Sequence, residues 1–249
     1  MNKTDVFSST LLCLLLASAT PYPALAKDES QKSKSDQDPT KIITKFGVSY
    51  GSEVFQFSGS FAFDPVRKIY FQVNDEFDVG RIGGSWLFDI GIVNFNIGTN
   101  VLDSGAEQTT YSIGTFVPLS SFGFKPLDIQ FFVMGGYSYN DGEIPCENVA
   151  EGESCNQTPE VDNELIMVAT ENHSGYLGSF MLKQFTEKWT ALGAIGGSVG
   201  SDDYSGYWFG AGAAYQVTGR QSLRLMGHYM DNSYGSEQEA SLGYSYQLN

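Results

Sequence analysis

Residues 239–248 alternate strictly between large apolar and small polar side chains. Leu242, Tyr244, Tyr246 and Leu248 fall on one face of a strand, and Ser241, Gly243, Ser245 and Gln247 on the other. A period of two with one apolar face predicts a half-buried β-strand. The same pattern recurs upstream. Phe55, Phe57, Phe61 and Phe63 alternate with Gln56, Ser58, Ser60 and Ala62, and Asp64-Pro65 supplies a turn. Ile69, Phe71 and Val73 make the next run. Trp86, Phe88 and Ile90 alternate, then the phase shifts to Val93, Phe95 and Ile97. A one-residue shift exchanges the faces, so it predicts a tight turn near Gly91 or a bulge.

Residues 109–117 read as a strand and 118–126 as a turn. Leu127, Ile129, Phe131, Val133, Tyr137 and Tyr139 form the longest clean alternation, with Asp128, Gln130, Met134 and Ser138 opposite, followed by a polar loop over residues 140–162. Residues 164–185 are strand-rich, with an interruption expected at Glu171-Asn-His-Ser-Gly175. A Gly-rich strand over 189–199 follows. Tyr207, Phe209, Ala211, Ala213, Tyr215 and Val217 alternate, and then Leu223, Leu225 and Tyr229. The count is about ten to twelve antiparallel strands, with eight as the lower limit, and the number is even if both ends lie in the periplasm.

Three segments are expected. Residues 1–26 have the features of a cleaved signal peptide: Lys3, an apolar run from Leu11 to Ala17 and an Ala24-Leu25-Ala26 cleavage signal. Residues 27–41 are a polar stretch expected to be a disordered linker. Residues 42–249 are the strand-rich domain. No segment after the signal offers the roughly 20 apolar residues of a membrane helix. A membrane-spanning chain of this kind must therefore be a closed barrel, because only helices and barrels satisfy every backbone polar group in lipid. A soluble periplasmic β-protein that binds a ligand is the alternative, built as a sandwich of similar short strands.

Composition narrows the partners. The net charge of −15 and the pI near 4.3 argue against nucleic acid, which needs a basic face. The many aromatic and few charged residues suit girdles at two membrane interfaces. Much of the acidity falls in the predicted long loop, at Glu143, Glu147, Glu151, Glu153, Glu160, Asp162 and Glu164. Cys146 and Cys155 lie close together there and are expected to form a disulfide in an oxidising compartment. Their spacing is not a zinc pattern, and neither a metal site nor a cofactor is expected from the sequence.

Catalytic signals are sparse. There is no G-x-S-x-G, no H-E-x-x-H and no phosphate loop. The two histidines, His173 and His228, are the candidates for an outer-membrane hydrolase, the alternative to a non-enzymatic barrel. The alternation assigns Asp128, Gln130, Lys183, Arg224 and His228 to the lumen. At the expected strand number the interior lies between a filled barrel and a wide channel.

The signal sequence, the Tyr/Phe alternation, the Gly-rich strands and the ending of strand, Thr218-Gly219-Arg220-Gln221, strand, loop and strand resemble the small outer-membrane β-barrel proteins of Gram-negative bacteria, a porin-like superfamily. The resemblance implies an antiparallel up-and-down transmembrane barrel in the bacterial outer membrane. It implies contact with outer-membrane lipid and lipopolysaccharide, insertion by the barrel-assembly machinery and small solutes as cargo. The chain departs from the usual aromatic last residue, ending Gln247-Leu248-Asn249, so Tyr246 is expected to take that role. The function expected is non-enzymatic: a narrow channel for small solutes, or a structural or surface-interaction protein.

Overall fold

The computed structural model describes residues 34–77, 79–101, 105–147 and 165–248. From Ser35 onward these form one compact unit. Twelve antiparallel strands close into a barrel, each paired with its sequence neighbours and the last with the first. They are β1 (Lys45–Gly51), β2 (Val54–Asp64), β3 (Arg67–Asn74), β4 (Gly80–Phe88), β5 (Gly91–Val101), β6 (Glu107–Pro118), β7 (Ile129–Glu147), β8 (Leu165–Gln184), β9 (Trp189–Gly200), β10 (Ser205–Thr218), β11 (Gln221–Asn232) and β12 (Gly235–Gln247). Twelve is the top of the expected range, and eight is excluded. Closure pairs Val48 with Tyr244 and Tyr50 with Leu242, so no strand edge is left to face lipid.

Each alternation sorts as a lipid-facing and a lumenal row. Phe57, Ile195, Phe209 and Leu225 point outward, each about half exposed. Their neighbours Ser58, Ala194, Gly210 and Arg224 point inward, as the register requires. Aromatic residues form two outer belts. Near one end lie Tyr111, Tyr139 and His173, with the Tyr139 and His173 rings 5.0 Å apart. Near the other, Trp189 and Tyr215 are 4.8 Å apart, Lys188 lies over Tyr215 and Arg67 over Trp86. Such belts mark the two membrane–water interfaces. The second end carries both strand termini and is called the terminal end below. The first is the loop end.

Several boundaries differ from the sequence reading. The phase change is a tight turn at Asp89-Ile90. The strand over 165–184 is unbroken at residues 171–175. Asn172 and Ser174 are polar because they point into the lumen, where both are buried. The signal-peptide residues 1–26, the linker residues 27–33 and Cys155 lie outside the described residues, as does the side chain of Cys146.

The clearest correction concerns residues 35–41, expected to be part of a disordered linker. They enter the lumen at the terminal end. Thr40 is 1% exposed, Lys41 7% and Ile42 6%. The expectation rested on a lack of apolar side chains, which matters only if the space to be filled is apolar. A barrel lumen offers hydrogen-bond partners instead. Asp36 bonds Lys41 Nζ at 2.5 Å and accepts from Gln216 Nε2 at 2.9 Å. Lys68 Nζ donates to the Lys41 carbonyl at 2.7 Å, and Ser60 Oγ to the Ile43 carbonyl at 2.8 Å. The segment is thus braced against β10 on one wall and β2 and β3 on another.

The lumen next to this plug is apolar. Phe132, Leu182, Leu192 and Ala214 form a buried cluster with Phe116, Phe180 and Met226 packed on it. Ile42, Leu87 and Ile92 form a second, joined to the first through Phe116. At the loop end, Tyr234 folds inward from the β11–β12 turn. Asn172 Nδ2 donates to its hydroxyl at 2.5 Å, Asn140 Nδ2 to Asn172 Oδ1 at 2.8 Å, and Thr110 Oγ1 to Asn140 Oδ1 at 2.9 Å. Burial pushes the Tyr234 hydroxyl up to about 12. Replacing Tyr234 by Phe leaves the buried Asn172 amide short of an acceptor, so it should cost about 1–3 kcal/mol in a urea titration of the refolded barrel.

Candidate functional site

The lumen is packed with large side chains on one side and lined by small ones on the other. On the walls from β4 to β10, large side chains lie on inward-facing glycines of adjacent strands. An added Cβ at Gly83 would meet the Tyr70 ring, one at Gly114 the Tyr176 hydroxyl and one at Gly196 the Trp208 ring. The wall made by β12 and β1 is different. Its lumenal residues include Ser241, Gly243, Gly47 and Ser49, all small and partly exposed. Arg224 of β11, in register with Ala214 and Gly243, borders this strip and its side chain is solvent-accessible.

Toward the loop end the strip becomes acidic. His228 is directly opposite Glu239, and Glu237 lies two residues away on the same face of β12. His228 Nε2 is 3.4 Å from Glu237 Oε1 and 4.0 Å from Glu239 Oε2. Asn100, from β5 on the far wall, reaches across to donate to Glu237 Oε2 at 3.4 Å. The lumen is therefore bridged at this level. Arg81 faces the same space from β4, opposite Gly98, and acts on Glu237 through space.

Of the residues assigned to the lumen from sequence, Gln130, Arg224 and His228 face it, with Gln130 in register with the buried Leu182. Asp128 and Lys183 do not. Asp128 sits in the turn between β6 and β7 with its side chain 82% exposed, ion-paired to Lys125. Leu127 and Asp128 both have positive φ, which breaks the period-two pattern before β7 begins. Lys183 shares the outward face with Ile129 and Met181, and its ammonium caps the Leu127 carbonyl at the terminal rim. Alternation counted through the left-handed turn, or read at a strand's end, misses both.

His173 faces outward. Its Nδ1 is hydrogen-bonded to the Tyr137 hydroxyl, and its ring also packs on Tyr139. Ser174 points the opposite way, as neighbours on a strand do. His228 meets two glutamates rather than a serine. Sequence reasoning did not connect Glu237, Glu239, Asn100 or Arg81 to His228. The only available signal was that Glu237 and Glu239 share one strand face.

Charge is divided along the barrel axis. Among the described residues from Ser35 onward, Arg81 is the one lysine or arginine in the loop half. The terminal half holds the others, including Lys41, Lys45, Lys68 and Arg224. A solute crossing the strip would meet a basic and then an acidic region.

No protein-family model matches the sequence, and no curated protein matches it. Solved structures do match. The translocator domain of the autotransporter NalP from Neisseria meningitidis is 11% identical, with 90% of this chain and 93% of that one covered at a TM-score of 0.53. The β-domain of the Bordetella autotransporter BrkA is 11% identical over 82% of this chain and 96% of that one, with a TM-score of 0.45. The KdgM porin is 7% identical over 83% and 99%, with a TM-score of 0.42. At these identities the likeness is one of fold. The closed antiparallel barrel and its two aromatic belts give this chain the architecture of a transmembrane β-barrel, a fold it shares with the NalP translocator domain.

Proposed function

We propose that the chain is a non-enzymatic, narrow channel for small solutes or ions, closed at rest by its own residues 35–42. The observation that carries this reading is the asymmetry of the lumen. Ile92, Phe132, Leu182 and Leu192 are buried on the packed side, whereas Arg224 is exposed beside the strip of small residues opposite. A barrel serving only as a scaffold has no need of a solvent-accessible arginine inside it. The plug spans the terminal mouth from Gln216 of β10 to Lys68 of β3 and leads directly into β1.

The test is ion selectivity in a planar bilayer, measured on a chain shortened to begin at Ile43. Replacing Arg224 by Gln should shift the selectivity toward cations by severalfold at low salt, because one fixed positive charge leaves a narrow path. Unchanged selectivity would remove the strip as the conducting path.

A structural or surface-interaction role is the second reading. The two apolar clusters that meet at Phe116 favour it, since an apolar layer across a lumen opposes the passage of charge. Silence of both the full and the shortened chain, each shown to be folded, would support that reading over the channel.

A further inference from the structure

We propose that His228, Glu237 and Glu239 form a lumenal binding site for a divalent first-row transition-metal ion. One atom of each, the His228 Nε2 and one oxygen from each carboxylate, lies within 4.8 Å of the other two. Metal bonds of about 2.0–2.1 Å in a tetrahedral set place ligand atoms about 3.4 Å apart. The His228–Glu237 separation of 3.4 Å already equals that edge, and the His228–Glu239 separation of 4.0 Å needs only a small rotation.

Hydrogen bonding explains the arrangement less well. A single Nε2 proton can serve one carboxylate at a time, and both distances exceed the usual 2.7–3.2 Å of an N–H···O bond. An ion at the centre satisfies all three groups together. The backbone holds the set in place, because His228 and Glu239 are register partners and Glu237 is on the same face. Asn100 anchors the other Glu237 oxygen from across the lumen, as a positioning residue outside the ligand set. The donor set of one imidazole and two carboxylates suits zinc and its first-row neighbours. Calcium and magnesium prefer oxygen alone. The side chains of His228 and Glu237 are 40% and 31% exposed, so an ion can enter and keep water as a fourth ligand.

Arg81 gives the proposal a second readout. Its charge acts on Glu237 and opposes a cation at the same place.

The experiment is a zinc titration of the untagged full chain in detergent, in competition with a chromophoric chelator. One zinc per chain at micromolar affinity or tighter is expected. Glu239→Gln, which keeps the shape of the side chain, and His228→Gln should each weaken it by about tenfold to a hundredfold. Asn100→Ala should weaken it by about tenfold. Arg81→Gln should tighten it, a change that a purely structural role for these residues would not produce. His173→Ala should leave it unchanged. X-ray absorption should show nitrogen and oxygen neighbours only. Zinc binding equal to that of the unmodified chain in both His228→Gln and Glu239→Gln would overturn the proposal. So would sulfur neighbours, which would place the ion on Cys146 and Cys155, or an absence of binding at micromolar zinc. Glu239→Gln carries the test if His228→Gln does not fold.

Discussion

A chain shortened to begin at Ile43 should conduct in discrete steps where the full chain is silent. Residues 35–42 fill the terminal mouth and contribute Ile42 to the apolar layer with Leu87 and Ile92. Removing them takes away the Asp36 bonds to Lys41 and Gln216, the ion pair and brace that hold the segment between facing walls. It also exposes Leu87 and Ile92 to water. The wall residues Phe132, Leu182 and Leu192 remain, with Met226 of β11 packed on their cluster, but they belong to β7, β8 and β9 and leave the strip along β12 and β1 uncovered. The shortened barrel should also be less stable, since burial of one isoleucine contributes about 1.5–3 kcal/mol. It should still fold, because no strand pairing involves the deleted residues. Single-channel recording with a heat-modifiable mobility assay separates the two effects. Steady conductance by the full chain would show that the segment does not close the lumen. A folded but silent shortened chain would show that the wall residues suffice to close it.

The second large effect should come from one glycine. A Cβ at Gly136 would stand 2.3 Å from the Ile113 carbonyl oxygen, 2.6 Å from the Gly114 Cα and 2.6 Å from the Tyr176 hydroxyl. Two of those three contacts are backbone, so no rotamer change relieves them. Gly136→Val therefore forces β6 and β7 apart in mid-strand, where Gly114 and Gly136 are register partners. Overpacking ordinarily costs about 1–3 kcal/mol, and a displaced backbone puts this case at or above the top of that range. Gly136→Val should abolish most refolding, read as loss of the heat-modifiable band. Tyr176→Phe should not rescue it, because the backbone contacts persist. Gly219→Ala is the control: its added Cβ meets nothing within 4 Å, and it should refold normally. Normal refolding of Gly136→Val would mean that β6 and β7 do not approach this closely.

The two effects differ in how far the sequence could have announced them. Gly136 sits in a run, Gly135-Gly136, whose closeness to Tyr176 depends on which residue of β8 falls opposite. That pairing is set by strand register and is invisible along one strand. The plug was misread for a related reason. Polar composition rules out burial in an apolar core, but residues 35–41 bury in a lumen whose walls supply Gln216, Lys68 and Ser60 as partners. Asn172 and Ser174 were taken to interrupt a strand on the same logic, and both prove to be lumenal.

The sequence by itself determined the class of fold and nearly every face. Leu242, Tyr244 and Tyr246 must share a side of β12, because alternate residues on a strand always do. Arg224 and His228 could be placed inward from Leu223, Leu225 and Tyr229 alone. The tertiary structure decided what those inward residues meet. Asn100 and Glu237 are 137 positions apart and touch only because the sheet closes on itself. His228, Glu237 and Glu239 converge because one register of β11 against β12 puts them side by side, whereas a shift of one residue would turn the glutamates toward lipid. Local alternation depends on backbone geometry that each residue carries with it. Register, closure and the filling of a lumen depend on every strand at once.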